Sequence, residues 1–309
     1  MVQRIDGTQG KFVLDAATQV GSVILKVKDL ERQIAFYENV VGLVVFERST
    51  QHAKFGSKGS NHVIFELEKT AEKLQPAKST GLFHTAFLLP SREAFATKFF
   101  EILRNKETID SPIEQSSRFP HFERYIPIAR LDSASDHGYS EALYIYDIEG
   151  NGIEIYADRN REDWDKYPSG SNPLNFKELA PLADFETDGK LPAETIIGHV
   201  HLRVANIEES VDFYINKLGF EKQMIIDTAF FISAGGYHHH LAGNVWSGEG
   251  LQKAADNESG LKEVRFKLPT TESFETAKNY IKQQIQIQDL RNEFVVEDPS
   301  GNRIVFEIA

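Results

Sequence analysis

The feature that most constrains this chain is that it repeats itself. Residues 21–42 (GSVILKVKDLERQIAFYENVVG) align without a gap on residues 198–219 (GHVHLRVANIEESVDFYINKLG). Each copy opens with an apolar alternation that reads as a strand. Asp29 or Asn206 then supplies an N-cap side chain. Leu30, Ile34, Tyr37 and Val41 in one copy, and Ile207, Val211, Tyr214 and Leu218 in the other, fall on one face of a helix. Gly42 and Gly219 follow at the C-cap position. A second pair, residues 81–95 (GLFHTAFLLPSREAF) and 260–274 (GLKEVRFKLPTTESF), again runs from a strand through Pro and Ser or Thr into a helix. Later in each half comes a turn and a strand, DIEGNGIEIY from Asp147 and DPSGNRIVFEI from Asp298. The simplest reading is four copies of one strand–helix–strands unit, two per half. Units of roughly 60 to 75 residues bury a sheet face poorly alone, so they should pack in pairs.

Composition narrows the chemistry. The chain has 309 residues and no Cys, which removes disulfides, thiolate metal sites and Cys nucleophiles. A transition metal would have to be held by carboxylates and some of the 10 His. The formal charge of −12 disfavours nucleic acid and anionic membranes as partners. There is no GxxxxGK(S/T) phosphate loop and no GxSxG nucleophile elbow. The N-terminus lacks the apolar run of a signal peptide, and no stretch of about 18 apolar residues occurs, so a cytoplasmic location is expected. The stretch DRNREDWDKYPSGSNPLNF, rich in charge, Pro, Ser and Gly, breaks the repeat. A linker is therefore expected over 161–193, between domains 1–160 (units one and two) and 194–309 (units three and four). Residues 1–17 read as an arm.

A strand GHVHLRV running into a helix with FY and then LGF, in four βαβββ units, resembles the vicinal oxygen chelate superfamily of glyoxalases, bleomycin-resistance proteins and extradiol dioxygenases. The resemblance covers nearly the whole chain. It implies an α+β fold in which four βαβββ modules pair into two cup-shaped mixed sheets, each cup able to surround one divalent metal. Ligands in that family come from the first strands of two paired modules and the last strand of one of them. Here those positions are Ser22 and His199, His84 and Glu263, and Glu154 and Val305. Pairing modules two and three, as some ring-cleaving members do, gives His84, His199 and Glu154. Two His and one carboxylate form the facial triad of non-haem Fe(II) oxygenases. Modules one and four would be left with Ser22, Glu263 and Val305, a dead structural cup. His201, two residues from His199 and on the same strand face, is the alternative ligand if the register differs.

The stretch HGYSEALYIYDIEGNGIE resembles the extradiol dioxygenase signature at His137, Leu143, Tyr144, Asp147, Gly150 and Glu154. It departs at Ile148, where Pro is usual, and at Ser135. Together with GGYHHHLAGNVW, the layout resembles the catechol 2,3-dioxygenase-like proteins of Gram-positive bacteria. The resemblance implies His239 as acid–base residue, with His240 second, and His137 and Tyr144 as donors to substrate and oxygen. Strand alternation would turn His239 to the face opposite His238 and His240. Asp147 and Gly150 read as turn residues, and His52, His62 and His121 as surface or packing residues. The implied activity is an Fe(II)-dependent (Mn(II) as second choice) extradiol dioxygenase acting on a catechol-like diol with O2, in a chain able to self-associate. The alternatives are a glyoxalase-type isomerase or lyase using Zn(II) or Ni(II), for which a fourth ligand is missing, and a non-catalytic small-molecule-binding protein of the resistance type.

Overall fold

The computed structural model describes residues 12–105 and 130–309; His121 and residues 1–11 of the expected arm lie outside them. The repeat becomes four βαβββ modules. Module one is β1 (Gln19–Lys26), α1 (Leu30–Phe36), β2 (Val44–Arg48), β3 (His52–Gly56) and β4 (Phe65–Glu68). Module two is β5 (Gly81–Leu88), α2 (Arg92–Asn105), β6 (Arg130–Asp136), β7 (Ser140–Tyr146) and β8 (Gly152–Asp158). A linker with the short helix α3 (Phe176–Leu179) leads to module three: β9 (Ile196–Arg203), α4 (Ile207–Val211), β10 (Glu221–Ile226), β11 (Ala229–Ser233) and β12 (Leu241–Asn244). Module four is β13 (Gly260–Leu268), α5 (Thr271–Gln284), β14 (Gln288–Asp289), β15 (Glu293–Glu297) and β16 (Arg303–Ile308).

The helix starts are capped as their residue types require. The Asp29 and Asn206 side chains accept from the Arg32 and Glu209 amides at 3.2 and 2.9 Å. Both helices widen into a π-helical turn and stop at Gly42 and Gly219, whose φ of 93° and 88° suits glycine.

The strands form two eight-stranded mixed sheets, each shared between the halves of the chain. One has the order β14-β15-β16-β13-β1-β4-β3-β2, from modules four and one; the other has β10-β11-β12-β9-β5-β8-β7-β6, from modules three and two. The divide between 1–160 and 194–309 is thus one of chain, not of sheet. A single apolar core holds Val23, Leu25, Val264 and Phe266 from the first sheet and Phe87, Ile155, Val200 and Leu202 from the second. Packing one face of each sheet against shared core leaves the other face free to form a cup.

Two buried carboxylates tie the sheets together at equivalent points. Tyr37 of module one donates to Asp147 Oδ2 of module two at 3.1 Å. Tyr214 of module three donates to Asp298 Oδ2 of module four at 2.8 Å. In each turn the other carboxylate oxygen accepts two backbone amides, from Glu149 and Asn151 or from Ser300 and Asn302. Asp147 is therefore a turn and docking residue. Burial raises both carboxyls above their ordinary value.

The linker packs as a strap. Leu179 and Leu191 are buried, Phe176 stacks on Phe99 at 5.6 Å, and Leu191 exchanges backbone bonds with Gly42 and Lys58. Phe12 and Leu14 also pack, on Tyr280 and on the backbone of Gly219. His52 lies between Glu47 and Ser49, and His62 is exposed. No helix among the described residues is long and apolar enough to cross a membrane.

Candidate metal centre

The second sheet brings three sequence-expected residues to one point. β5 lies between β9 and β8, and in register His199 faces Ala86, which faces Glu154. His84, two residues before Ala86, shares its side of β5. Two bulges set this geometry, one at Phe83 and one at Gly198, where the β5–β9 register shifts. The first turns Phe83 and His84 toward the same concave side; the Phe83 ring lies 5.3 Å from His84 and 4.9 Å from His201. At the second, a Cβ on Gly198 would stand 1.9 Å from the Tyr156 hydroxyl, so only glycine admits that contact.

Nε2 of His84 and Nε2 of His199 each lie 3.0 Å from Glu154 Oε2. All three side chains are buried. Among the described residues this is the one cluster of three or more potential metal-binding side chains. His84 Nε2 makes no properly directed hydrogen bond although it is buried, and His199 Nδ1 also lacks a partner. A buried imbalance of this kind is costly unless something else binds there. Burial pushes the Glu154 carboxyl up, but the His199 and His84 rings outweigh it and hold it well below its ordinary value. Burial lowers His199 to about 4, against the pull of Glu154. At neutral pH the cluster therefore holds an ionised carboxylate beside a neutral imidazole, the protonation states that metal coordination needs. The residues present fit a divalent cation with two nitrogen and one oxygen ligand.

His201 lies outside this cluster. The Asn244 amide donates to its Nε2 at 2.9 Å, so that nitrogen is occupied. Its ring packs with Phe83, Phe231 and Trp246 on one wall of the cup.

The opposite wall carries Tyr144, paired in register with Glu154, its ring 5.6 Å from His84. Burial and the Glu154 charge raise the Tyr144 hydroxyl well above its ordinary value, so it keeps its proton. His137 Nδ1 lies 2.8 Å from the Gly170 carbonyl and Nε2 lies 2.8 Å from the Tyr144 hydroxyl. A carbonyl only accepts, so Nδ1 carries a proton, while Nε2 and the Tyr144 hydroxyl share the second bond. Both nitrogens are engaged, and His137 orients Tyr144.

The three consecutive histidines do not alternate as a strand would, because β12 begins only at Leu241. His239 packs on His199, ring centroids 4.1 Å apart. His238 bonds to His239 and to Asp158. His240 accepts from the Ala234 amide at 3.1 Å and is a corner of the hairpin. Burial and the neighbouring histidines lower His239 well below the usual imidazole range, leaving it neutral. Sequence reasoning missed Asp158, Tyr237 and the linker's Trp164, which surround His238. Asp158 carried one readable signal: it lies four residues beyond Glu154 on β8, hence on the same strand face.

Comparisons with known proteins agree with this fold. The family model of the Glyoxalase/Bleomycin resistance protein/Dioxygenase superfamily matches residues 19–117 and 196–306. A Bacillus subtilis (strain 168) protein named catechol-2,3-dioxygenase is 34% identical over 304 residues, covering 94% of this chain and 98% of that protein. A solved Bacillus subtilis structure superposes with a TM-score of 0.57 at 12% identity, over 97% of this chain and 86% of that one. A glyoxalase I variant from Zea mays superposes with a TM-score of 0.53 at 13% identity, over 94% of both chains. At such identities the superpositions speak for the fold alone.

Proposed function

Since the chain belongs to the Glyoxalase/Bleomycin resistance protein/Dioxygenase superfamily, we propose that it is an extradiol dioxygenase, opening the ring of a catechol-like diol with O2 at a metal held by His84, Glu154 and His199. The observation that carries this reading is the buried cluster of two imidazoles and one carboxylate on three adjacent strands. Such a set, without thiolate, suits Fe(II), with Mn(II) as second choice, and leaves coordination positions open. The 34% identical relative bears the name of such an enzyme.

When bound, the metal would supply Lewis acidity toward both diol oxygens and a place for O2. The protein's own residues do the rest. His239, neutral and beside His199, accepts the proton of a diol hydroxyl. Tyr144, held by His137, presents its phenol to the bound molecules beside His84. The wall of Phe83, Phe231 and Trp246 offers apolar surface to an aromatic ring.

The test is anaerobic loading with Fe(II), then catechol and air. The expected outcome is O2 uptake with a yellow ring-fission product, both absent in His84→Ala and His199→Ala. Stoichiometric Zn(II) or Ni(II) with no O2 uptake on any catechol would overturn the reading in favour of isomerase chemistry.

A further inference from the structure

Behind His239 lies a chain of groups that the proposed reaction does not yet use. Asp158 Oδ1 is 3.0 Å from His238 Nε2, and His238 Nδ1 is 2.9 Å from His239 Nδ1. The second carboxylate oxygen accepts from the Tyr237 hydroxyl at 2.7 Å, and the oxygen of Tyr237 lies 2.8 Å from the Tyr156 hydroxyl. The His238 ring is clamped, stacked on Tyr139 at 4.4 Å and against Tyr237 at 4.0 Å, with the linker's Trp164 at 5.7 Å.

With both rings neutral, hydrogen-bond logic assigns the protons from Asp158 to His239. A carboxylate only accepts, so His238 Nε2 carries the proton it gives to Asp158. A neutral His238 then has a bare Nδ1, which can only accept. The nitrogen facing it, His239 Nδ1, must be the donor. A neutral His239 with its proton on Nδ1 has a bare Nε2, the form that can take a proton from a substrate hydroxyl. Reversing either bond of the Asp158–His238–His239 relay would put the proton on the wrong nitrogen of His239.

We infer that Asp158 and His238 are positioning residues that fix His239 as its Nδ1–H tautomer and so make it competent as a base. The logic is that of a buried carboxylate holding a catalytic imidazole in one tautomer, extended by a second imidazole. Only the kinetic consequence rests on the ring-cleaving reading; the tautomers do not.

The experiment has two arms. In the first, the long-range proton–nitrogen NMR spectrum of the full-length, 15N-histidine-labelled, metal-free protein reads each ring directly. It should show His238 protonated on Nε2 and His239 on Nδ1. Asp158→Ala should redistribute both tautomers, while Asp158→Asn, whose amide oxygen still accepts, should retain them. In the second arm, on Fe(II)-loaded protein with catechol, Asp158→Ala should lower kcat about 10²-fold, the scale of one proton-transfer group. KM should stay within about twofold, since the residue touches no substrate, and Asp158→Asn should recover most of the loss. A wild-type His239 protonated on Nε2, or an Asp158→Ala protein with unaltered His239 tautomer, overturns the inference. The wild-type spectrum decides even if Asp158→Ala does not fold. The predicted tautomers in a protein that cleaves no catechol would uphold the positioning and sink the dioxygenase reading.

Discussion

The two cups of this molecule are built on one plan and filled in opposite ways. In the cup of modules two and three, the row across β9, β5 and β8 is His199, Ala86, Glu154. The equivalent row across β1, β13 and β16 is Ser22, Arg265, Val305. Even the bulges correspond: Gly21 matches Gly198, and Lys262 matches Phe83. Where the first cup has a methyl group at its centre, the second has a guanidinium. Arg265 bonds Glu307 at 2.9 Å and Glu263 at 2.5 Å, and also pairs with Glu293. Glu263, which stands where His84 stands in the other cup, takes a further contact from Arg303 at 3.2 Å. Burial lowers the Arg265 pKa, but the carboxylates around it outweigh that and hold it above its ordinary value. One cup is satisfied by its own charges; the other leaves a buried imidazole nitrogen without a partner. A small residue between the ligand strands is therefore as much a part of the candidate metal centre as the ligands.

The strongest way to break this contrast is to move the plug. Ala86→Arg would place a guanidinium between His199 and Glu154, where it would pair with the carboxylate instead of a metal. The expected outcome is complete loss of Fe(II) binding, read by metal analysis, and of O2 uptake. The fold should survive with about 1–3 kcal/mol of overpacking cost. A variant that still loads stoichiometric metal would show that the central residue does not decide between the cups.

The reciprocal change has a smaller effect. Arg265→Ala removes the cation and leaves Glu263, Glu293 and Glu307 facing one another. A broken buried pair costs roughly 3–5 kcal/mol, and partial solvent access at this site lowers that to about 2. Denaturant unfolding should show this loss with catalysis unchanged, because the plug lies in the other sheet. Adding Glu263→Gln should return part of it. An Arg265→Ala protein as stable as the parent would mean that the network is a solvated surface cluster.

Much of this arrangement is legible in the sequence, and what is not has a physical reason. The modules are legible because the helix stripe of Leu30, Ile34, Tyr37 and Val41 recurs at Ile207, Val211, Tyr214 and Leu218. The meeting of His84, Glu154 and His199 is legible because equivalent strand positions occupy equivalent places in paired modules. Arg265 is not, since on a strand with alternating polar residues it resembles any solvated cation; its meaning comes from Glu293 and Glu307 on strands that arrive later. Asp158 is hidden for the same reason, its partners being supplied by module three. The split between His238 and His239 is invisible to strand alternation because the chain turns a corner there.

The smallest effect concerns the paired Tyr–Asp clamps, which sharpen the comparison because they are nearly, but not fully, equivalent. Asp147 Oδ2 accepts from Tyr37, from the Asn151 amide at 2.8 Å and from the Gln33 amide at 3.0 Å. Asp298 Oδ2 accepts from Tyr214 and from the Asn302 amide at 2.9 Å. Deleting the hydroxyl therefore leaves Asp147 with two side-chain donors on that oxygen and Asp298 with one. A hydrogen bond to a buried charge contributes about 1.5–3 kcal/mol, and the loss is softened where other donors remain. Tyr214→Phe should cost about 2 kcal/mol and Tyr37→Phe about 1 in denaturant unfolding. Gln33→Leu should remove the asymmetry, so that Tyr37→Phe in that background costs as much as Tyr214→Phe does in the parent. Equal costs in the parent chain would mean that Gln33 does not share the charge of Asp147. The difference between the clamps would then have to come from the surroundings of the two tyrosine rings, Phe55 and Phe65 about Tyr37 against Phe220 and Phe230 about Tyr214.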